Sequence, residues 1–221
     1  MAAAWQVRLI ESAPFMENTY IAHLPDRAEA VVIDPGLEPD LILEELEAHG
    51  LTVVAILNTH GHADHIGGNA AINAAFPQAP LLIGAGDAPM LTDAQANLSA
   101  PFGIPIVSPP ADRLLQEGEV IEFAGMRFEI REIPGHSPGH IVFISQDTQP
   151  TLVFGGDVLF QGSIGRTDFP GGSFEQLRDG IHGKLYRLPD DTVVLPGHGP
   201  STTVGIEKRT NPYVGLTTAV E

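Results

Sequence analysis

Short apolar runs alternate with amphipathic segments along the whole chain. The runs are rich in β-branched residues and end at Gly, Pro or Asp, a pattern typical of buried strands followed by turns. Helical spacing of apolar residues predicts helices over residues 39–49, 70–76 and 174–185. Strands are predicted at residues 31–33, 51–57, 81–83, 120–123, 127–133, 141–144, 152–154 and 193–195. Because strands and helices are interleaved, the pattern favours an α/β domain whose sheets are covered by helices.

Four of the predicted strands lead into polar, Gly-rich loops that contain His or Asp. These loops cover residues 59–65, 134–140, 155–157 and 196–199. Ligand sites in α/β proteins tend to lie just beyond the ends of strands. We therefore expect the four loops to converge on one site.

The first of these loops carries the strongest chemical signal. It places three imidazoles and one carboxylate between His60 and His65, and His60 and His62 point the same way in an extended segment. Neutral imidazoles and carboxylates are ligands that suit zinc, iron and manganese. Together the four loops offer a set of side chains large enough for a two-metal site: His60, His62, Asp64, His65, His136, Asp157 and His198.

Composition excludes several other kinds of chemistry. The 221 residues include no Cys, which rules out disulfides, thiolate zinc sites, iron–sulfur clusters and a Cys nucleophile. The formal net charge is −17, from 28 acidic and 11 basic residues. This balance argues against nucleic acids and anionic membranes as partners, which need clustered Lys and Arg. No membrane span or leader segment is evident, so we expect a cytoplasmic protein.

The candidate ligands suggest a hydrolytic reaction without a Ser-His-Asp triad. Two cations about 3.5–4 Å apart lower the pKa of a shared water from about 15.7 towards 7. The resulting hydroxide attacks a carbonyl, and the charge of the metals stabilises the oxyanion. If the substrate is a thioester, the thiolate leaves readily because a thiol has a pKa of about 8.5. Asp64 could accept the released proton.

The order of the motifs resembles the metallo-β-lactamase superfamily. The His-x-His-x-Asp-His run at residues 60–65 is followed by Gly-His-Ser-Pro-Gly-His at 135–140, Gly-Gly-Asp at 155–157 and Pro-Gly-His-Gly at 196–199. More closely, the tracts at residues 156–170 and 201–212 are similar to the short forms of glyoxalase II-type hydrolases (hydroxyacylglutathione hydrolases). The resemblance implies a four-layer αββα sandwich over a single domain, residues 1–221, without the C-terminal helical extension of larger glyoxalase II enzymes.

The resemblance also implies a role for each candidate ligand. Three histidines would hold one divalent ion, two histidines and an Asp would hold a second, and another Asp would bridge the two. A hydroxide would fill the remaining bridging position, and the ions would be zinc, or iron or manganese. The three sets are, respectively, His60, His62 and His136; Asp64, His65 and His198; and Asp157.

Two further residues are implied to support the ligands. Asp34, which follows a predicted strand, would steady the ligand loop; the alternative is an ordinary Asp of a strand-end turn. His140 would orient neighbouring ligands, and a simple structural hydrogen bond is the alternative.

The resemblance implies a small acyl-thiol substrate, such as a glutathione conjugate, and three candidate residues for its recognition. Arg166 occupies the position of a Lys in the larger enzymes and could hold a substrate carboxylate; alternatively it pairs with Asp168 or Asp157. Lys208 and Arg209 could attract an anionic substrate, or they simply form a solvated helix end.

The sequence alone leaves other functions open. A persulfide dioxygenase of the same fold uses one iron held by two His and an Asp, and the intact Pro-Gly-His-Gly motif favours hydrolysis over it. A lactonase would need a positioned Tyr. A β-lactamase with a Cys ligand is disfavoured because the chain contains no Cys. A metal-binding module without catalysis would have a closed ligand shell and no substrate cleft.

Overall fold

The chain forms two six-stranded sheets and a small hairpin within residues 5–216, the part that the computed structural model describes. The first sheet has its strands in sequence order: β1 (Gln6–Ser12), β2 (Glu17–His23), β3 (Glu29–Ile33), β4 (Thr52–Asn58), β5 (Leu81–Gly84) and β6 (Arg113–Leu115). The strands of the second sheet are β7 (Val120–Phe123), β8 (Met126–Glu132), β9 (Ile141–Ser145), β10 (Leu152–Gly156), β13 (Val193–Pro196) and β14 (Thr202–Thr203). Their order in the sheet is β14-β13-β10-β9-β8-β7, and the hairpin pairs β11 (Leu159–Phe160) with β12 (Ser163–Ile164).

Helices lie on the outer face of each sheet. The α-helices are α1 (Pro39–Ala48), α2 (Ala63–Ile66), α3 (Asn69–Ala75), α4 (Phe174–Gly183) and α5 (Val204–Thr210). Short 3-10 helices cover Ala88–Thr92, Ala100–Phe102 and Leu185–Arg187. None of the helices in residues 5–216 is long and apolar enough to cross a membrane.

Successive side chains of a strand point to opposite faces of its sheet, and this alternation divides the core into layers. In β3, Val31 and Ile33 pack between the two sheets, whereas Val32 packs with Ile42 of α1 and Ile72 of α3. Burying both faces of a sheet requires a layer on each side. The second sheet does the same against its own helices, with Phe143 in the central layer and Val142 beside Leu177 of α4. The result is the four-layer αββα sandwich, as predicted.

Most predicted elements are confirmed, and the differences have local causes. The predicted helix over residues 174–185 ends earlier, at Gly183, and a separate 3-10 turn follows it. The sequence pattern also missed β1 and β2. Every residue of β2 is buried, yet the strand begins with Glu17, Asn18 and Thr19, so it lacks an apolar signal at its start.

The strand directions bring the polar loops to one edge. β3, β4 and β5 are parallel neighbours, so their carboxyl ends lie together. β10 and β13 are parallel neighbours in the second sheet. The loops that follow these strands therefore meet at the edge between the two sheets.

Candidate metal centre

Three buried histidines from two loops form the first ligand group. His62 Nδ1 lies 3.1 Å from His60 Nε2 and 2.9 Å from His136 Nε2. His60 and His62 follow β4, and His136 lies in the loop between β8 and β9. Three nitrogen atoms that converge in this way could hold a metal ion.

A second group lies beside the first and consists of Asp64, His65 and His198. His198 Nε2 lies 3.3 Å from Asp64 Oδ2, and His65 Nε2 lies 3.9 Å from the same oxygen. Asp64 and His65 sit on α2, and His198 follows β13. This group also has the composition of a metal site.

Asp157, which follows β10, stands between the two groups. Its Oδ2 lies 3.4 Å from His136 Nε2 in the first group and 3.6 Å from His198 Nε2 in the second. Its Oδ1 lies 3.5 Å from His65 Nε2. A side chain at Gly197 would collide with Asp157 and His65, so only glycine leaves room for this carboxylate.

Hydrogen bonds behind the site fix which nitrogen of each ring faces inward. His136 Nδ1 lies 2.9 Å from the carbonyl oxygen of Arg166, and His198 Nδ1 lies 3.1 Å from that of Phe15. A carbonyl oxygen only accepts, so each Nδ1 must carry the proton. When the rings are neutral, both Nε2 atoms therefore present a lone pair to the centre.

Asp34 and Thr59 set the tautomers of two more rings. Thr59 Oγ1 donates its one proton to Asp34 Oδ2 at 2.6 Å. Towards His60 Nδ1, 3.1 Å away, the hydroxyl can therefore act only as the acceptor, so His60 Nδ1 carries the proton. His65 Nδ1 donates to Asp34 Oδ2 at 3.1 Å. In the neutral form of each ring, which is the form that binds metals, Nε2 carries a lone pair that points into the centre.

The donor set fits a cation. His60 Nε2 and His136 Nε2 both turn a lone pair towards His62 Nδ1, which has at most one proton and can donate it to only one of them. His65 Nε2 and Asp157 Oδ1 are buried with no hydrogen-bond partner. A cation would satisfy the inward lone pairs that are left facing one another. Burial and the neighbouring imidazoles lower the pKa of His60 well below its ordinary value and that of His62 to about 3. Both rings are therefore neutral at pH 7, which is the form that binds metals.

Asp157 is ionised despite its burial. Burial by itself would raise its pKa, but the imidazoles of His65, His136 and His198 outweigh that effect and hold the pKa below its ordinary value. A buried, ionised carboxylate surrounded by imidazoles is typical of a metal ligand.

Asp34 is an anchor behind the site, although it lies near enough to His60 and His65 to form a third potential metal group. Its Oδ1 accepts from the Thr59 backbone N–H at 2.7 Å, and its Oδ2 accepts from Thr59 Oγ1 and His65 Nδ1. Both oxygens are thus occupied. His65 points its other nitrogen away from Asp34, towards Asp157.

His140 contacts the backbone of a candidate ligand. The N–H of Asp157 donates to His140 Nε2 at 3.0 Å, and the His140 ring stacks on His60 with centroids 4.7 Å apart. Burial lowers the pKa of His140 well below its ordinary value, so the ring is neutral and can accept this hydrogen bond.

Sequence reasoning missed Asp87, which joins two ligand loops. Asp87 Oδ2 accepts from the Gly61 N–H at 3.1 Å and from Ser137 Oγ at 2.6 Å. Gly61 lies between two candidate ligands, and Ser137 follows a third. Asp87 lies in a Gly-containing loop just after β5, so the strand-end pattern used for the other loops also applies to it.

Glu17 and Thr59 were missed as well. Glu17 is fully buried with Oε1 3.9 Å from His65 Nδ1, and burial raises its pKa well above the ordinary value. Gly36 makes space for it, since any side chain there would collide with the Glu17 carboxyl group. No local motif marks Glu17, whereas Thr59 is the direct neighbour of a candidate ligand.

The candidate substrate-binding residues fall in different places. Arg166 lines the cleft above the centre, where its guanidinium group forms two hydrogen bonds with Asp168, at 2.9 and 2.8 Å. Lys208 Nζ lies 2.7 Å from Asp190 Oδ1, and Arg209 lies 3.9 Å from the same carboxylate. Lys208 and Arg209 are not among the residues that line the cleft.

Replacing Thr59 with Val should weaken metal binding and activity by about 10–100-fold. The substitution keeps the shape of the side chain but removes the hydroxyl that links His60 to Asp34. Metal affinity by competition with a chelator measures the effect. Thr192→Val is the matched control, because the Thr192 hydroxyl is buried without a hydrogen-bond partner. An equal loss in both variants would contradict the role given to Thr59.

Adding Zn²⁺ to the metal-free protein should raise its Tm by about 10 °C at saturation. Binding to the folded state stabilises it and removes the repulsion among the inward lone pairs. Differential scanning calorimetry measures the shift. Mg²⁺ is the control, because it prefers oxygen ligands in an octahedral shell. A Tm that does not respond to Zn²⁺, or an equal shift with Mg²⁺, would argue against a histidine-rich metal site.

Comparison with known proteins defines the class. Residues 13–198 match the metallo-beta-lactamase superfamily, so the chain belongs to that superfamily and is a metallo-hydrolase. It is 37% identical over 211 residues to the hydroxyacylglutathione hydrolase GloC of Haemophilus influenzae. That alignment covers 94% of this chain and 97% of GloC, and it confirms the predicted likeness to glyoxalase II-type proteins.

Two solved structures share the fold along nearly the whole chain. The BLEG-1 B3 metallo-beta-lactamase is 38% identical with a TM-score of 0.90, over 95% of this chain and 99% of that one. TTHA1623, solved in a di-iron-bound form, is 39% identical with a TM-score of 0.81, over 94% and 100% of the two chains.

Proposed function

We propose that the protein is a binuclear metal-dependent hydrolase of thioesters, acting on S-D-lactoylglutathione or a related acyl-thiol. The position of Asp157 carries this proposal, because its carboxylate lies within 3.6 Å of nitrogens from both ligand groups. Such a carboxylate suits a bridge between two cations. In this proposal one ion is held by His60, His62 and His136, the other by Asp64, His65 and His198, with Asp157 shared by both.

The di-iron form of TTHA1623 supports two ions in a protein of this fold. Bound divalent cations would supply a Lewis acid for the thioester carbonyl and lower the pKa of a coordinated water. The ligand set of neutral imidazoles and carboxylates accepts zinc, iron or manganese.

The chain's own residues position the ligands and handle the proton. Thr59, Asp34 and Asp87 hold the ligand loops, and the backbone carbonyls behind His136 and His198 keep both rings turned inward. Asp64 lines the cleft, and His65 and His198 lower its pKa against the opposing effect of burial. Its ionised carboxylate has lone pairs that can accept a proton released during hydrolysis, but the lowered pKa makes it a weak base.

A substrate panel on metal-loaded protein tests the proposed reaction. Hydrolysis of S-D-lactoylglutathione is followed by release of the thiol, with oxygen uptake on glutathione persulfide and hydrolysis of an acyl lactone measured in parallel. We expect thiol release to be the dominant activity. Oxygen consumption on the persulfide with a single iron per chain would instead make the protein a dioxygenase, and dominant lactone opening would make it a lactonase.

The similarity to BLEG-1 favours β-lactam hydrolysis as a second candidate function. BLEG-1 is a B3 metallo-beta-lactamase and covers almost the whole chain. The ligand groups described above contain no Cys, and an amide carbonyl can be attacked in the same way as a thioester carbonyl. Including a chromogenic cephalosporin in the panel tests this activity. We expect its kcat/KM to fall below that of the thioester, because an amine is a poorer leaving group than a thiolate.

A further inference from the structure

The cleft above the ligand groups has mainly apolar walls. Its volume is about 670 Å³. Phe15 contributes from the loop before β2, and Phe160 and Ile164 contribute from the β11–β12 hairpin. A third segment adds Leu98, Ile104 and Ile106, which we call the acyl wall. Phe15 is 45% exposed and Ile104 is 72% exposed, so apolar surface lies open to solvent at this site.

The polar residues beside the acyl wall form hydrogen bonds within their own segment of the chain. Asn97 Nδ2 donates to the carbonyl oxygens of Met90 and Ile106, and its Oδ1 accepts from the N–H and hydroxyl of Ser99. The Ser99 hydroxyl in turn accepts from the Ile106 N–H at 2.9 Å. These side chains therefore hold the shape of the segment rather than offering hydrogen bonds to a ligand.

This network also holds Leu98 in a conformation that is rare for leucine. The φ angle of Leu98 is 68°, in the left-handed region. The buried Asn97 and Ser99 fix the backbone on either side of it. A bulky residue kept in such a conformation points to a functional constraint, here the placement of an apolar side chain in the cleft.

The cleft also lacks an uncompensated cation for a charged substrate. Apart from the candidate metal ligands, Arg166 is the only charged residue that lines it within the described part of the chain. The Arg166 guanidinium group is paired at two points with Asp168 and lies 4.2 Å from the centre of the Phe169 ring. The carboxylates of glutathione would need such a cation to be free, and the overall charge of −17 disfavours an anionic ligand further.

We propose that the preferred substrate is a thioester with an apolar acyl chain, which binds along the acyl wall, rather than a short polar acyl group. The inference rests on the proposed thioester hydrolysis and adds the substrate class. Each methylene buried against the wall should raise kcat/KM by about fourfold until the chain outgrows the cleft.

An acyl series tests the inference with the metal-loaded protein. Acetyl, butyryl and hexanoyl thioesters are prepared on glutathione and on N-acetylcysteamine, which is an uncharged thiol. We expect kcat/KM to rise with acyl length on both thiols. We also expect the uncharged thiol to be accepted at least as well as glutathione.

Two variants locate the effect on the wall. Ile104→Asn changes an exposed side chain, which leaves the core intact. Leu98→Asn introduces a residue that tolerates the left-handed backbone conformation of this position. Each should reduce the ratio of hexanoyl to acetyl kcat/KM by about tenfold. Val107→Asn is the matched control, since Val107 is exposed in the same segment but does not line the cleft.

The outcomes separate this inference from the proposed function. If no thioester is hydrolysed, the proposed function itself is wrong. If thioesters are hydrolysed but kcat/KM stays constant or falls with acyl length, the proposed function is retained. The inference that an apolar acyl chain binds along the acyl wall is then wrong. Equal ratios in all three variants, or a dependence on the thiol alone, would likewise overturn the inference.

Discussion

Replacing Asp157 with Asn is expected to reduce thioester hydrolysis by about 10³-fold or more. Asn has nearly the same shape, but it carries no negative charge and one of its two polar atoms has no lone pair to offer. The carboxylate lies between the two ligand groups, so its loss weakens both. Metal analysis should therefore give fewer than two ions per chain, alongside the loss of rate.

The control for this variant is Asp147→Asn, which changes an Asp paired with Arg127 away from the ligand groups. We expect normal metal content and normal rates for it. Circular dichroism of both variants checks that the fold is retained. An Asp157→Asn protein that keeps two ions and hydrolyses thioesters at nearly the original rate would show that Asp157 does not bridge the groups.

Replacing His198 with Ala should remove one ion and leave the other, and should reduce hydrolysis by about 10²-fold or more. His198 Nε2 lies close to Asp64 and Asp157, whereas the three histidines of the first group do not depend on it. The His198 side chain is partly exposed, so water can fill the space of the removed ring.

Metal content and rate should be measured together for the His198 variant. His49→Ala is the control, because His49 is a partly exposed histidine just after α1 and remote from the ligand loops. Loss of both ions in His198→Ala would mean that the groups do not fill independently. Unchanged metal content and rate would remove His198 from the site altogether.

The sequence predicted the arrangement of loops better than the contacts among them. The spacing of His60 and His62 predicted that they act together. The expectation that ligand sites lie just beyond strand ends, here called the strand-end rule, predicted that His136, Asp157 and His198 lie at the same edge. The same rule would have reached Asp87, had it been applied to the loop after β5. These predictions succeeded because strand direction fixes where a loop emerges.

Contacts between residues distant in sequence could not be read in this way. Asp34 and Thr59 are separated by 25 positions, and their hydrogen bond depends on the parallel pairing of β3 and β4. Glu17 lies near His65 because β2 is fully buried along its whole length, although its first three residues are polar. For Arg166 the sequence left two interpretations open, and only the folded loop brings its guanidinium group against Asp168.

The most direct measurement is a titration of the metal-free protein with Zn²⁺, with the rate of S-D-lactoylglutathione or hexanoyl-thioester hydrolysis followed at each step. If two ligand groups share Asp157, the rate should reach its maximum at two equivalents of metal per chain. Saturation at one equivalent, or a protein that takes up two equivalents and hydrolyses no thioester, would contradict a binuclear thioester hydrolase.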